Sequence, residues 1–200
     1  MEFTKLDIKK HDLYKVADLL FETEPELQSL LFGKNKDKAL SKMVNIVKAG
    51  KNTMGHENIY LATESNQILG LTCFFIGDEI DSKVESVRIK KAIGLFSFLR
   101  IAFYDKTLLK KLLTATIGEN NLYIANVSVE KNNRGQGVGK FILNNVENYA
   151  RKKNCISIIL DVSKENEVAI GLYNKLGFEI SKERTSSIWN ISTYQMLKVL

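Results

Sequence analysis

Two periods of apolar residues alternate along the chain. Phe3, Leu6 and Ile8 suggest a short first strand, and Leu13, Val16, Ala17, Leu19 and Leu20 then recur on one helical face. Pro25 suits the first turn of a second helix, where its missing N–H is no loss, with Thr23 or Glu24 before it as a cap. Leu40, Met43, Val44 and Val47 make a third amphipathic stretch, which Gly50 stops. Residues 59–64 and 68–75 read as strands, and the polar Ser65, Asn66 and Gln67 between them predict a hairpin.

Residues 78–118 are the least regular part. Leu95, Phe98, Leu99 and Ala102, then Leu108, Leu109, Leu112 and Leu113, fall at roughly helical spacing and predict two helices. A basic amphipathic helix can lie on a membrane, but this stripe is expected to cover the chain's own core. Beyond it the pattern sharpens. Residues 122–130 read as a strand, and 137–153 place Val138, Phe141, Ile142, Val146, Tyr149 and Ala150 on one helical face. A strand at 157–162, a helix at 167–176 stopped by Gly177, and strands at 178–184 and 189–198 complete the chain. The order predicts an α/β (α+β) fold, a sheet of about seven strands covered by helices.

Composition narrows the class further. The 200 residues are 44% hydrophobic and 26% charged, which fits a globular chain and excludes disorder and fibrous repeats. With one proline and no Gly/Ser-rich linker, a single domain over 1–200 is expected, with 78–118 as a helical insertion. The net charge of +6 is spread as lysine doublets rather than one basic block, so nucleic acid is not an expected partner. Cys73 and Cys155 sit far apart in apolar stretches and read as buried free thiols. With only His11 and His56 beside them they form no zinc set, and no metal is expected. No basic-then-apolar leader opens the chain, and the apolar run 93–104 is cut by Arg100, short of the ~20 residues a span needs. A cytoplasmic protein without a membrane partner is the expectation, and a homodimer stays open.

Chemistry concentrates between the strand ending at Glu130 and the helix near Gly137. Arg134-Gly135-Gln136-Gly137-Val138-Gly139-Lys140 sets three alternate glycines at a strand-to-helix junction. There the main chain can approach a ligand closely, with amide N–H groups aimed outward at the positive end of a helix dipole. Arg134 and Lys140 add charge, which favours a pyrophosphate over a single carboxylate. A P-loop is rejected: three residues, not four, separate Gly135 from Gly139-Lys140, and Phe141 stands where Ser or Thr is needed. A dinucleotide fingerprint is rejected too, because its third glycine would fall at Lys140, although Asp161 mimics the ribose-binding acid. Taken alone, the loop could still be a plain glycine turn.

It does not stand alone. Arg134-x-x-Gly137-x-Gly139, followed by Asn166, Ala169, Leu172, Tyr173 and Leu176-Gly177-Phe178, resembles the GNAT superfamily of acetyl-CoA-dependent N-acetyltransferases over about residues 122–178. The resemblance implies a mixed, mostly antiparallel sheet splayed between its fourth and fifth strands, with helices on both faces. It implies acetyl-CoA as cosubstrate, with its pyrophosphate on Arg134, Gly135, Gln136, Gly137, Val138, Gly139 and Lys140 and its pantetheine arm along Val127, Ser128 and Val129. Asn166 would contact the cofactor, and Tyr173 would protonate the departing thiolate, a role a phenol of pKa about 10 can fill. Without the resemblance, Tyr173 is a core aromatic beside Leu172 and Leu176.

The implied reaction is direct attack of a primary amine on the thioester in a ternary complex. An amine of pKa about 10.4 must first lose its proton, which at neutral pH costs about 4–5 kcal/mol. Some relatives carry Glu on the strand before the loop, yet residues 124–128 hold no acid. Glu64, Glu79 and Glu119 are candidate bases with none assigned, and a backbone N–H near Val127 is a candidate oxyanion donor. The alternative is a non-catalytic coenzyme A-binding sensor or interaction module. The amine acceptor is left open, and the 78–118 insertion is expected to wall or lid its cleft.

Overall fold

The computed structural model describes residues 1–77, 79–113, 117–187 and 189–200. Strand β1 (Glu2–Lys5) ends earlier than the apolar pattern predicts, because Asp7 O accepts from Lys10 N and His11 N and closes a turn. Polar caps then cut the next stretch into three helices. The Asp12 carboxylate accepts from Tyr14 N and Lys15 N at the start of α1 (Leu13–Phe21), and Pro25 opens α2 (Pro25–Phe32). Asn35 caps α3 (Lys36–Ala49), which Gly50 ends at φ 60°.

Strands β2 (Ile59–Glu64) and β3 (Gln67–Ile76) form the predicted hairpin. Its turn is the two residues Ser65 and Asn66, both left-handed at φ 49° and 64°, the conformation that matches the twist of the flanking strands. Helices α4 (Ser82–Ile93) and α5 (Leu95–Tyr104) follow, hinged at Gly94. A π-helical turn, Asp105–Leu109, carries α5 into α6 (Lys110–Leu112). The spacing over 95–102 and 108–113 therefore belongs to one interrupted helical run. Helix α4, which buries no residue fully, is the separate one that the apolar pattern did not mark.

The remaining elements fall where the spacing placed them: β4 (Asn121–Val129), α7 (Val138–Lys152), β5 (Ser157–Ser163), α8 (Glu167–Lys175), β6 (Glu179–Ser186) and β7 (Ile191–Val199). The seven strands make one sheet in the order β1-β2-β3-β4-β5-β7-β6. Among the described residues, only β4 and β5 run parallel. Helices α1 to α3 bury Val16, Leu20, Met43 and Ile46 against Leu61, Leu71 and Cys73 on one face. On the other face α7 and α8 bury Ile142, Val146 and Tyr173 against Leu122, Ile158, Leu160 and Met196. Each fully buried aliphatic side chain contributes about 1.5–3 kcal/mol, so these two layers fix the sheet that carries the site.

Candidate active site

The sheet splits where β4 bulges. Asn121 to Ile124 pair with Ser157 to Leu160 of β5, and the pairing ends there. On the other edge, Cys73 opposes Asn126 while Phe74 opposes Ile124, so Ala125 is the extra residue of a bulge. From Ala125 to Val129, a run of roughly 16 Å at the usual strand rise, β4 stays paired with β3 but has no β5 partner. Such an edge can hydrogen-bond an extended amide-bearing ligand as if it were the missing strand. Val127 and Val129 are half-buried here and Ser128 is buried, all three within this unpaired stretch.

The open edge leads, through a 3-10 turn at Lys131–Asn133, into the glycine loop. Gly135 and Gly137 have φ 76° and 83°, in the left-handed region, and a Cβ on either would meet no atom within 4 Å. Gly137 occupies the cap position of α7 without a side-chain cap, and the first intrahelical bond runs from Phe141 N to Gly137 O. The N–H groups of Val138, Gly139 and Lys140 thus belong to the orphan donors of a helix start, where the dipole is positive. Gly139 has a different reason for being small: a Cβ there would lie 3.1 Å from Leu172 Cδ2, so the residue lets α7 approach α8. Arg134 Nε donates to Val129 O at 3.1 Å and Gln136 Nε2 to Asn132 O at 2.9 Å, which hold the loop against the end of β4. Lys140 is exposed at the same mouth.

Tyr173 approaches the split from α8. Its ring lies 5.7 Å from that of Phe178 and is 8% exposed, so it belongs to the core as the apolar pattern alone suggests. Its hydroxyl also senses a charge. Burial first, then the carboxylate of Glu24, push the phenol up to about 12. Asn166 proves to be the cap of α8, its Oδ1 accepting from Ala169 N at 3.1 Å, which leaves only its Nδ2 for a ligand.

Glu24 is the residue that sequence reasoning passed over as a mere cap. It holds the cap position of α2, yet its carboxylate makes no capping bond. Although the residue is exposed by area, protein around its carboxyl raises it above the usual carboxylate range, through desolvation first and then through Glu26 and Glu165. The turn that carries it is tied to β4, because Asn126 Nδ2 donates to Thr23 Oγ1 at 3.1 Å. A Lys15–Glu130 ion pair and a Lys131–Glu22 pair at 3.1 Å hold α1 against the chain leaving β4. The acid just before a helix-opening proline was the available signal; the burial around its carboxyl was not.

The three acids considered from sequence lie elsewhere. Glu64, on β2, pairs with the N-terminal ammonium at 3.4 Å, two strands away from β4. Glu79 accepts from Ile76 N, and Glu119 sits against Gly77, both beside the start of β4 and roughly 26 Å from the glycine loop at the usual strand rise. A cavity of about 520 Å³, lined by Lys5, Tyr60, Phe74, Glu79 and Tyr149 among others, opens at that same far end. Asp161 is committed to the interior: its side chain, 1% exposed, accepts from Arg184 Nη1 at 3.0 Å and from Tyr123 Oη at 2.8 Å. Its resemblance to a ribose-binding acid is coincidental.

A split mixed sheet with a glycine-rich helix start that no side chain caps is the arrangement that the resemblance to the GNAT superfamily implies. Residues 36–178 match the profile of the Acetyltransferase (GNAT) family, and the chain belongs to that family. Human N-acetyltransferase 8B is 32% identical over 74 residues, 37% of this chain and 33% of that protein. The chain therefore spans about a third of the length of this curated relative. An N-acetyltransferase from Staphylococcus aureus Mu50 shares the fold with a TM-score of 0.76 at 16% identity, over 98% of this chain and 100% of its own. The PaiA N-acetyltransferase from Thermoplasma acidophilum, solved in complex with coenzyme A, does so with a TM-score of 0.56 at 17% identity, over 100% and 98%.

Proposed function

We propose that this protein transfers an acetyl group from acetyl-CoA to a primary amine by direct attack in a ternary complex. The observation that carries the reading is the unpaired β4 edge followed, after one 3-10 turn at Lys131–Asn133 and the glycine loop, by the uncapped start of α7. Together they offer a strand-like channel for the amide-bearing pantetheine arm and, at its end, a cluster of N–H donors for the diphosphate. Val127, Ser128 and Val129 hold the arm. Arg134 through Lys140 hold the phosphates, with Asn166 Nδ2 at the rim.

Glu24 is the base. Its carboxylate takes a proton from the incoming ammonium, directly or through one water, and burial improves it for the task, since a raised carboxyl holds the proton more firmly. The freed nitrogen attacks the thioester carbonyl while a main-chain N–H of the bulged β4 stretch donates to the developing oxyanion. The C–S bond then breaks, Tyr173 donates its proton to the leaving sulfur, and the second proton released by the attacking nitrogen restores the phenol, directly or through water. A phenol near 12 is a weaker acid than the usual one. Full transfer to a thiolate of ordinary pKa near 8.5 would be uphill by about 4–5 kcal/mol. The sulfur would leave in the same desolvated spot, however, and burial raises a thiol as it raises a phenol, which narrows the gap.

The insertion forms the outer wall of the acceptor cleft. Arg100 Nε donates to Leu30 O of α2 at 2.6 Å, Tyr104 lies against Trp189 with ring centres 5.6 Å apart, and Thr193 Oγ1 donates to Leu112 O. It thus spans from α2, whose first residue follows Glu24, to β7. The test is a thiol-release screen with acetyl-CoA over polyamines, amino acids, aminoglycosides and peptides, run on wild type and Glu24→Gln. Release above background with one acceptor class, lost in the variant, is expected. Binding of coenzyme A with no release from any amine would leave only the sensor reading.

A further inference from the structure

Only part of the insertion's apolar pattern covers the core: Leu108 and Leu112 are buried, but the outer face of α5 is not. On α5, Leu95, Phe96, Leu99 and Phe103 are 48%, 89%, 54% and 58% exposed. At 3.6 residues per turn these four fall within an arc of about 100°, while Ile101 and Tyr104 on the other side pack inward. Helix α4 adds the exposed Val84 and Val87. Scattered exposed apolar residues need no explanation, but four on one helical face, two of them phenylalanines, form a patch.

Charge is concentrated at the same place. Residues 82–113 carry Lys83, Arg88, Lys90, Lys91, Arg100, Lys106, Lys110 and Lys111 against only Glu85 and Asp105. All eight cations are exposed. The whole chain has 29 cations and 23 anions, so outside this segment 21 balance 21, and the +6 excess resides here rather than being spread along the chain.

We infer that the outer face of α4 and α5 docks on an anionic lipid surface, with Phe96, Leu99 and Phe103 entering the acyl boundary and the flanking lysines meeting the phosphates. A shallow apolar ridge rimmed by flexible cations is the arrangement that lies in a membrane interface. The rim argues against a protein partner, because six of the eight cations are lysines, which protein interfaces deplete in favour of arginine. The contact lies in the plane of the surface, since no helix among the described residues is long and apolar enough to cross a bilayer.

The full chain is sedimented with vesicles of phosphatidylcholine alone and with about one quarter phosphatidylglycerol, at low and high salt. Binding to the mixed vesicles only, reduced by salt, is expected. Phe96→Ser with Leu99→Ser should weaken it at least ~10-fold, and Lys90→Glu with Lys91→Glu should weaken it and flatten the salt dependence. Far-ultraviolet circular dichroism and coenzyme A affinity should stay at wild-type values in both, which separates lost docking from lost fold. No binding to the mixed vesicles at low salt, or equal binding by the serine variant, overturns the inference. So does a dimer in sedimentation equilibrium that the serine variant dissolves without any vesicle binding, which would give the face to a second copy of the chain.

Discussion

Replacing Gly137 by alanine should damage the site far more than the fold. An alanine Cβ there would meet no protein atom within 4 Å, so steric repulsion contributes nothing. What it does face is φ 83°, and an L-residue held in that region costs about 1–2 kcal/mol. For a chain of this size that lowers Tm by roughly 2–8 °C. The added methyl would occupy the open space above the α7 N–H groups, where diphosphate oxygens are to approach. Loss of one charge-assisted hydrogen bond there is worth about 1.5–3 kcal/mol. Titration calorimetry should accordingly show Kd for coenzyme A rising about 10- to 150-fold. Pantetheine, which lacks the diphosphate, should bind both proteins alike. Gly139→Ala supplies the contrast, because its backbone is ordinary and its Cβ would press Leu172 at 3.1 Å, so stability should suffer first. A Gly137→Ala protein whose Tm falls as stated while Kd stays within about twofold would refute the phosphate cradle.

Other perturbations separate chemistry from support. Glu24→Gln should remove the acid limb of the kcat/KM profile: the base acts when deprotonated and its carboxyl is raised, so the wild-type limb should lie above the ordinary 4.5 and fall as pH drops through it. Tyr173→Phe should lower kcat about 100-fold with coenzyme A affinity unchanged. Because the phenol is raised to about 12, it stays protonated across ordinary assay conditions, and the ratio of wild-type to variant rates should be flat with pH there; an alkaline fall near 10 would contradict its burial. Asp161→Asn should leave coenzyme A binding intact but destabilise by about 3 kcal/mol, because it strands a mostly buried guanidinium. Thermal melting would show that as a drop of roughly 6–12 °C. Cys73 is fully buried, donates to Thr53 O and has its thiol driven up by burial, and Cys155 is likewise raised. Neither should react with a maleimide at neutral pH until denaturant is added, and rapid native labelling of Cys73 with loss of activity would reopen a thiol acyl carrier.

The sheet was readable because its signals are local. The apolar runs at 59–64 and 122–130, the Ser65-Asn66 turn and the glycines that stop α3 and α8 each depend on a few neighbouring residues, and each element appeared within a few positions of its prediction. The insertion was harder for a physical reason. Leu108 and Leu112 are buried, whereas Leu95, Leu99 and Phe103 face outward, yet a period of 3.6 gives both groups the same signature. Helix α4 shows the opposite failure: Asp81 caps it and Gly94 ends it, but its apolar residues are split between an outer pair, Val84 and Val87, and an inner set, Ile89, Ala92 and Ile93, which blurs the period.

The site divides along the same line. The glycine loop is one continuous stretch whose backbone is proposed to bind, so its residues could be named from the order and spacing of the sequence. A base is a meeting of distant segments, and its neighbours are set by topology. The turn that bears Glu24 is tied to the unpaired stretch of β4 because Asn126 binds Thr23 across 103 positions of sequence, a contact that no local pattern announces. Glu119 was one of three candidates with none assigned, and strand direction alone sends it to the far end of β4 from the loop. In a fold that opens between two strands, the acid to seek is therefore one borne by whatever turn crosses the opening, and Glu24 meets that condition where Glu64, Glu79 and Glu119 do not.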